Sequence, residues 1–391
     1  ITREQVEESL ADPNGAYRRL RRVMDAWCAL WFWPLTGDPV APPSWDEWID
    51  ACQMILGKYT KLSRKSFKDY DDGVQQQLTP ADQWEALAEQ ETLACAEGGA
   101  RPVDEALERY PWLRVCEKVA KEQGFFHWQL DFAPVFGRGG FDLQVGNPPW
   151  VRPDSDVDAL LAEGDPWWQL VDKPSESEKR EHRTTTLLLP GIRDLTAAAD
   201  SETVAARRFV SDPTNYPELD GLRPDLYRCF MCATWSHGSN RGTIGLVHPE
   251  THLTDEKAGH LRELTYPRLR RHWQFTNELM LFGEISHLVV YGIHVYGRPL
   301  PRPYFKTACA LYHPDTVRDS LRHDGSGEAP GFKFEGHWDQ RPHAQRIQTI
   351  TDETLTTWRD ILDPDLQTPR QTRMLYTVNT CLLYTSPSPR D

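Results

Sequence analysis

The strongest constraint in this chain is the ten-residue stretch Phe141-Asp142-Leu143-Gln144-Val145-Gly146-Asn147-Pro148-Pro149-Trp150. Phe141 to Gly146 is a short apolar run closed by glycine, which reads as a buried strand ending in a loop. Two consecutive prolines remove two backbone donors and fix φ, so the loop after the strand is stiff. At the carboxyl end of a strand in an open α/β sheet, such a loop lies where ligands bind. Asn147 offers a side-chain oxygen and Pro148 a carbonyl that no ladder uses, so the pair can accept both hydrogens of an exocyclic amine. Trp150 can stack on the ring that bears the amine. The competing reading is a proline-rich strand terminator followed by a core tryptophan.

The rest of the chain reads as an α/β protein with a helical front. Residues 1 to about 122 are helical in pattern. In Arg18 to Trp33, Leu20, Val23, Trp27, Leu30 and Trp31 recur at three-four spacing. Thr79-Pro80-Ala81-Asp82 reads as a helix start, and Val103 to Glu122 as a further helix. The turn Gly137-Arg138-Gly139-Gly140 reads as a hairpin before the Phe141 strand. A polar insert covers 153–221, and an amphipathic stretch runs from Leu222 to Trp235. Thr243 to Val247 is expected as a strand, Asp255 to Trp273 as a helix, His287 to Tyr296 as a strand and Thr351 to Ile361 as a last helix, with 299–340 in loops. Strand alternating with helix predicts a mainly parallel sheet, with Val145 ending a central strand and Asn147 and Trp150 at a concave mouth beside Val247.

These residues resemble a family. FHWQLDFAPVFGRGGFDLQVGNPPWVR and the downstream GTIGLVHPETHLTDEKAGHLRELTYPRLRRHWQFTNELMLFGEISHLVVYGIHVYG are similar to the catalytic region of gamma-type N6-adenine DNA methyltransferases of bacterial restriction-modification and phage-defence systems. The resemblance covers about 124–152 and 222–297. It implies a Rossmann-like, S-adenosylmethionine-dependent core carrying a helical N-terminal insert. It also implies an acceptor adenine flipped out of double-stranded DNA. Asn147 and Pro148 would accept the amino hydrogens, Pro149 would stiffen the loop, and Trp150 would stack where the family more often has tyrosine. Tyr291 or Tyr296 is a candidate for the other face of the base. The family's glycine loop for the cofactor is absent from residues 1–146, and His323 to Gly327 is no substitute. Asp142 is the one candidate cofactor contact.

The implied organisation is a helical region at 1–122, part of a catalytic core at 123–300 containing the insert 153–221, and a linker with the start of a target-recognition region at 301–380. Residue 1 is Ile, and 381–391 (CLLYTSPSPRD) resembles adapter-derived read-through. The expectation is therefore a fragment, open at both ends, whose cofactor loop lies upstream and which is inactive alone. Further restriction or defence subunits are candidate partners.

Composition narrows the alternatives. With 44 Lys+Arg against 58 Asp+Glu the net charge is −14, so a nucleic acid must meet a local basic patch rather than bulk charge. Arg262, Arg268, Arg270, Arg271 and His272, read as clustered on one helix, form one candidate patch. Arg341 and Arg346 near His337 and His343 form another. The 8 cysteines, without a dense framework, suit a reducing cytoplasm. No stretch is long and apolar enough for a membrane span. His248-Pro249-Glu250 with Cys229-x-x-Cys232 has the ingredients of a zinc deaminase in the wrong order, and no metal site is expected. Asp225 with Asp255-Glu256-Lys257 is a loose nuclease pattern. Cytosine C5 chemistry needs a Pro-Cys nucleophile loop, which the chain lacks. A non-catalytic nucleic-acid-binding module remains open, as does an amine methyltransferase acting on RNA or on protein glutamine.

Overall fold

The computed structural model describes residues 3–35, 40–58, 90, 93–223 and 225–380. The expected helix start at Thr79 and the segment 381–391 lie outside them. The chain divides into two units, Ile1–Ala133 with Ser155–Ala206, and Pro134–Asp154 with Arg207–Asp391.

The first unit is helical. Its N-terminal part contains α1 (Arg3–Ala11), α2 (Ala16–Ala29), α3 (Trp45–Leu56), α4 (Val103–Arg109) and α5 (Trp112–Gln123). Ser44 starts α3 with a capping box, its hydroxyl accepting from the Glu47 N–H while the Glu47 carboxylate accepts from the Ser44 N–H. The expected single helix from Val103 to Glu122 is two, because Pro111 cannot continue α4. On α2 the buried residues are Arg19, Ala26 and Ala29, whereas Leu20 and Trp27 remain exposed. The small alanines let neighbouring helices approach, and Trp27 lies across Trp45 and Trp48 at 6.2 and 5.9 Å. Arg19 donates to the carbonyls of Ile55 and Arg101, tying α2 to the chain on both sides of the α3–α4 connection. In the polar insert, α6 (Glu176–Thr186) belongs to this unit, and α7 (Ile192–Ser211) runs out of it.

The second unit is built on a six-stranded sheet: β1 (Phe141–Gly146), β2 (Gly238–Pro249), β3 (Leu269–Thr276), β4 (Val290–Tyr296), β5 (Tyr304–Leu311) and β8 (Gln348–Thr351). The two-residue strands β6 (Lys333–Phe334) and β7 (His337–Trp338) form a separate ribbon. The sheet order is β1-β2-β4-β3-β5-β8. β1 with β2 and β3 with β5 are parallel; β2 with β4, β4 with β3 and β5 with β8 are antiparallel. The sheet is therefore mixed, not mainly parallel. The cause is local: residues 277–289 turn the chain straight back from β3 to β4, whereas β1 reaches β2 only through a long crossover ending in α8 (Leu226–His237).

β1 lies at the edge of the sheet among the described residues, not at its centre. Leu143 and Val145, on one face of it, are 66% and 77% exposed. Gln144 faces the other way, and its amide donates to the Thr234 carbonyl of α8 at 2.8 Å. Gly137 to Gly140 is not a hairpin. It closes a short helix, Ala133–Gly137, and leads into β1. Gly140 has φ +109°, and a Cβ there would lie 2.5 Å from the His237 carbonyl oxygen, so glycine is required for β1 to enter beside β2.

Two expectations downstream give way to β structure. Only Gly259–Thr265 of the expected helix 255–273 is α-helical (α9); Pro267 stops it, and Trp273 and Phe275 alternate into β3. The loops expected at 299–340 contain β5 and the helix Pro314–Ser320. β5 escapes notice because its interior is Ala308 and Cys309, small residues without a strand signature. The last helix, α10 (Asp352–Leu362), forms as expected and buries Leu355 and Trp358.

Candidate functional site

β1 and β2 run parallel with Gly146 opposite Leu246, so the Asn147 loop leaves the sheet beside Val247 and His248. Pro148 is buried and Asn147 exposed. Neither the Asn147 amide nor the Pro148 carbonyl has a hydrogen-bond partner among the described residues.

Trp150 is fixed. Its indole N–H donates to the Val247 carbonyl at 3.2 Å. Its ring lies 5.6 Å from Tyr291 at 32° and 5.3 Å from Phe282 at 56°. Tyr291 is buried, and burial raises its phenol pKa above the usual value. Tyr296 is elsewhere. Five positions along β4 from Tyr291, it points to the opposite face, fully buried, with its hydroxyl near His248 Nε2 and Met231 Sδ. Only Tyr291 of the two tyrosines accompanies Trp150. Asp142 accepts from Ser239 Oγ at 3.0 Å, a bond that ties β1 to the start of β2.

Phe282 and its support were not singled out from the sequence. Asn277, wholly buried, donates to the Phe282 carbonyl at 2.8 Å and accepts from the Phe282 N–H at 3.0 Å, which pins residues 277–289 into a fixed arch beside Trp150. Leu279, Met280, Leu281 and Leu288 stand exposed on that arch. The apolar run LMLF directly after a strand was the available signal.

The other support is an ion-pair system. Arg152 pairs with Asp225, and the Val151 carbonyl accepts from the Leu226 N–H at 3.1 Å. Hydrogen bonding to Asp225 holds the Arg152 guanidinium above its usual pKa. Arg228, buried in α8, reaches Asp225 at 3.6 Å and Asp255 at 3.3 Å. The Asp225 and Asp255 carboxylates of the loose nuclease pattern are thus paired with arginines, and Asp225 ties down the motif loop through Arg152.

The expected basic patches are largely consumed in the same way. Arg262 is buried and donates to the carbonyls of Gln371, His252 and Asp255. Arg268 donates to the Leu264 carbonyl and lies over Trp235 at 4.9 Å, while Arg270 donates to four backbone carbonyls. Arg270, Arg271 and His272 belong to β3, not to a helix, and Arg271 alone of the four arginines is exposed. Arg341 and Arg346 both pair with Asp339. Cys229 and Cys232 lie in the apolar core, where burial pushes the Cys229 thiol up to about 12 and Cys232 well above its usual value. Neither thiol joins His248 or Glu250 in a metal-ligand group among the described residues.

Concave surfaces also occur in the helical unit, one lined by Asp50, Met54, Arg101 and Arg109 and another by Arg21, Glu117 and Phe125. They contain none of the motif residues.

Residues 58–177, which include Asn147 to Trp150, match the family model described as Eco57I restriction-modification methylase. The match supports a methyltransferase of the restriction-modification type. No curated protein sequence matches the chain. Among solved structures, the ATP-dependent Type ISP restriction-modification enzyme LlaBIII bound to DNA is 10% identical with a TM-score of 0.24, over 44% of this chain and 10% of that one. A nuclease-deletion mutant of the Type ISP enzyme LlaGI in complex with a DNA substrate mimic is 10% identical with a TM-score of 0.22, over 79% of this chain and 32% of that one. The chain thus spans a tenth and about a third of those two enzymes, and no residue role rests on either likeness. No helix among the described residues is long and apolar enough to cross a membrane.

Proposed function

We propose that the chain supplies the acceptor-base half of an adenine-N6 DNA methyltransferase working in cytoplasmic restriction-modification or phage defence. The observation that carries this reading is the pair of unpartnered acceptors, the Asn147 amide and the Pro148 carbonyl, at the carboxyl ends of two parallel strands beside a fixed indole. In this reading a flipped adenine stacks on Trp150 and donates its two amino hydrogens to Asn147 and Pro148. Those bonds localise the lone pair on N6 for in-line attack on a methyl group. The step is positioning and hydrogen bonding, with no covalent enzyme intermediate. Exposed Leu279 to Leu281 and Leu288 on the arch, with Arg271 on β3, are the available contacts for displaced or neighbouring DNA.

S-adenosylmethionine is the donor that the methylase match and the resemblance imply, supplying the methyl group. The described residues do not fit it. The glycine-rich turn Gly137 to Gly140 is occupied by strand entry against His237, and no strand-to-helix glycine loop precedes β1 among the described residues. Asp142 is already bonded to Ser239. Calorimetric titration of this chain with S-adenosylmethionine is therefore expected to show weak or no binding; tight binding would mean that the chain holds a cofactor site in another place. The same observation favours a second reading, a non-catalytic module that holds a base. Tritiated methyl transfer to unmethylated DNA by the intact native protein, followed by nucleoside analysis, separates the two. Label in N6-methyladenine supports the first reading; no label supports the second, and label on RNA or on protein glutamine redirects the acceptor.

Trp150 gives a graded test. Trp150→Ala should cut turnover by roughly 1–3 kcal/mol of lost base stacking, and should also lower the melting temperature because Phe282 and Tyr291 lose their neighbour. Trp150→Tyr should retain most activity, since an aromatic face persists, and lose about 1 kcal/mol of stability with the indole bond to Val247.

A further inference from the structure

On the sheet face opposite Trp150, three neighbouring strands bring titratable side chains into a fully enclosed cluster. Glu250 directly follows β2, His272 is on β3 and His294 on β4, with His272 and His294 directly opposite in register. All three are buried, and one ligand atom from each lies within 4.8 Å of the others. His248 and His252 complete a patch of four buried imidazoles; His248 stacks on His294 at 4.0 Å and 4°.

Burying a carboxylate among four imidazoles is costly unless each polar atom is matched, and here several are not. His294 Nδ1 lies 3.1 Å from the Gly292 carbonyl, so that nitrogen carries the proton and donates it. Its Nε2 then presents a lone pair that has no partner, and both nitrogens of His252 are likewise unpartnered. His272 Nδ1 sits 2.9 Å from Thr307 Oγ1, and its Nε2 faces the Glu250 carboxylate at 2.6 Å. With the Nε2 proton on His272, the Glu250 contact is an ordinary hydrogen bond; were a divalent ion to replace that proton, Nδ1–H would donate to Thr307 and the Nε2 lone pair and the carboxylate oxygen would both face the ion.

We propose that Glu250, His272 and His294 form a structural site for a divalent transition-metal ion of the zinc class. Two imidazoles and a carboxylate are a ligand set that zinc takes. Each ligand already has the outer partner that orients metal-bound side chains: the Gly292 carbonyl for His294, Thr307 for His272, and Gln274, whose amide donates to Glu250 Oε1 at 2.6 Å. Bonds of about 2.0–2.2 Å in a tetrahedron put ligand atoms roughly 3.4 Å apart, so seating the ion requires the His272–Glu250 pair, now at 2.6 Å, to open by roughly 0.8 Å while the wider separations, up to 4.8 Å, close. His252, both of whose nitrogens are unpartnered, is a further donor, its ring 5.9 Å from that of His294. With the cluster sealed from solvent, the ion's role is to clamp β2, β4 and β3, the strands whose other face carries Val247 and Tyr291. This inference stands apart from the methyl-transfer reading.

The test uses the whole purified chain. After supply of zinc and removal of loose ions, elemental analysis should find one zinc per chain, chelation should lower the melting temperature, and cobalt loading should give the visible absorption of a low-symmetry, four- or five-coordinate site. His294→Gln should weaken zinc binding by more than about 100-fold, while His337→Gln, at an exposed histidine on β7, should leave it unchanged. If His294→Gln fails to fold, zinc content and the cobalt spectrum of the unaltered chain decide alone. A chain that retains no zinc and stays colourless with cobalt overturns the site. So does zinc lost equally in His337→Gln, which would identify surface binding.

Discussion

Asn147→Ala is expected to abolish nearly all methyl transfer in the intact native protein while leaving its fold untouched. In the proposed reaction the side-chain oxygen accepts a hydrogen from the adenine amino group as charge develops on N6. Losing one such positioned group typically costs about 10²–10³-fold in turnover. The structural side of the expectation is as definite. Asn147 is exposed and makes no hydrogen bond among the described residues, so truncation should shift stability by no more than about 0.5 kcal/mol. Initial rates of tritium transfer to unmethylated DNA and a thermal melt on the same sample check both halves. Normal turnover in Asn147→Ala would end the adenine-N6 proposal, and a large fall in melting temperature would show that Asn147 has a structural duty.

The contrast between Asn147 and its surroundings also shows what was legible in the sequence. The strand-loop junction was readable because two adjacent prolines leave the backbone few options, and β1 does end at Gly146. The position of β1 in the sheet was not readable. An apolar run signals burial, but which neighbours provide it depends on pairing, and Leu143 and Val145 stand open at an edge. The arginines misled for a related reason. Arg262, Arg270 and Arg346 look like a cationic surface in one dimension, yet each donates to backbone carbonyls of the loops around it. Charge in a sequence does not reveal whether a guanidinium faces solvent or caps a loop. The histidines were missed from the opposite direction. His272 and His294 are separated by a whole strand connection, and only the β3–β4 register places them side by side. Phe282 was hidden likewise, since its approach to Trp150 depends on Asn277 holding an arch that carries no turn motif of its own.

Asp225→Asn should have the largest effect on stability among substitutions near the motif, and it should reach the reaction through Arg152 rather than through contact with substrate. The Asp225 carboxylate pairs with Arg152 on the motif loop and with Arg228 inside α8. Removing one charge from a wholly buried pair costs about 3–5 kcal/mol, because the other charge is left without compensation. Here the value should be nearer 2–3 kcal/mol, since Arg152 is half exposed and Arg228 keeps Asp255 at 3.3 Å. For a unit of this size that corresponds to a fall in melting temperature of roughly 4–12 °C. Turnover measured well below the melting transition should fall as well, because the loop from Asn147 to Arg152 is then tied to neighbouring elements, among the described residues, by the Leu226 N–H to Val151 carbonyl bond and the Trp150 indole bond to Val247. Arg152→Ala should reproduce the loss of turnover with a smaller loss of stability, as no buried charge is stranded. If both variants melt and react like the parent, the ion pair does not hold the loop, and the stiffness of Pro148 and Pro149 alone positions Asn147.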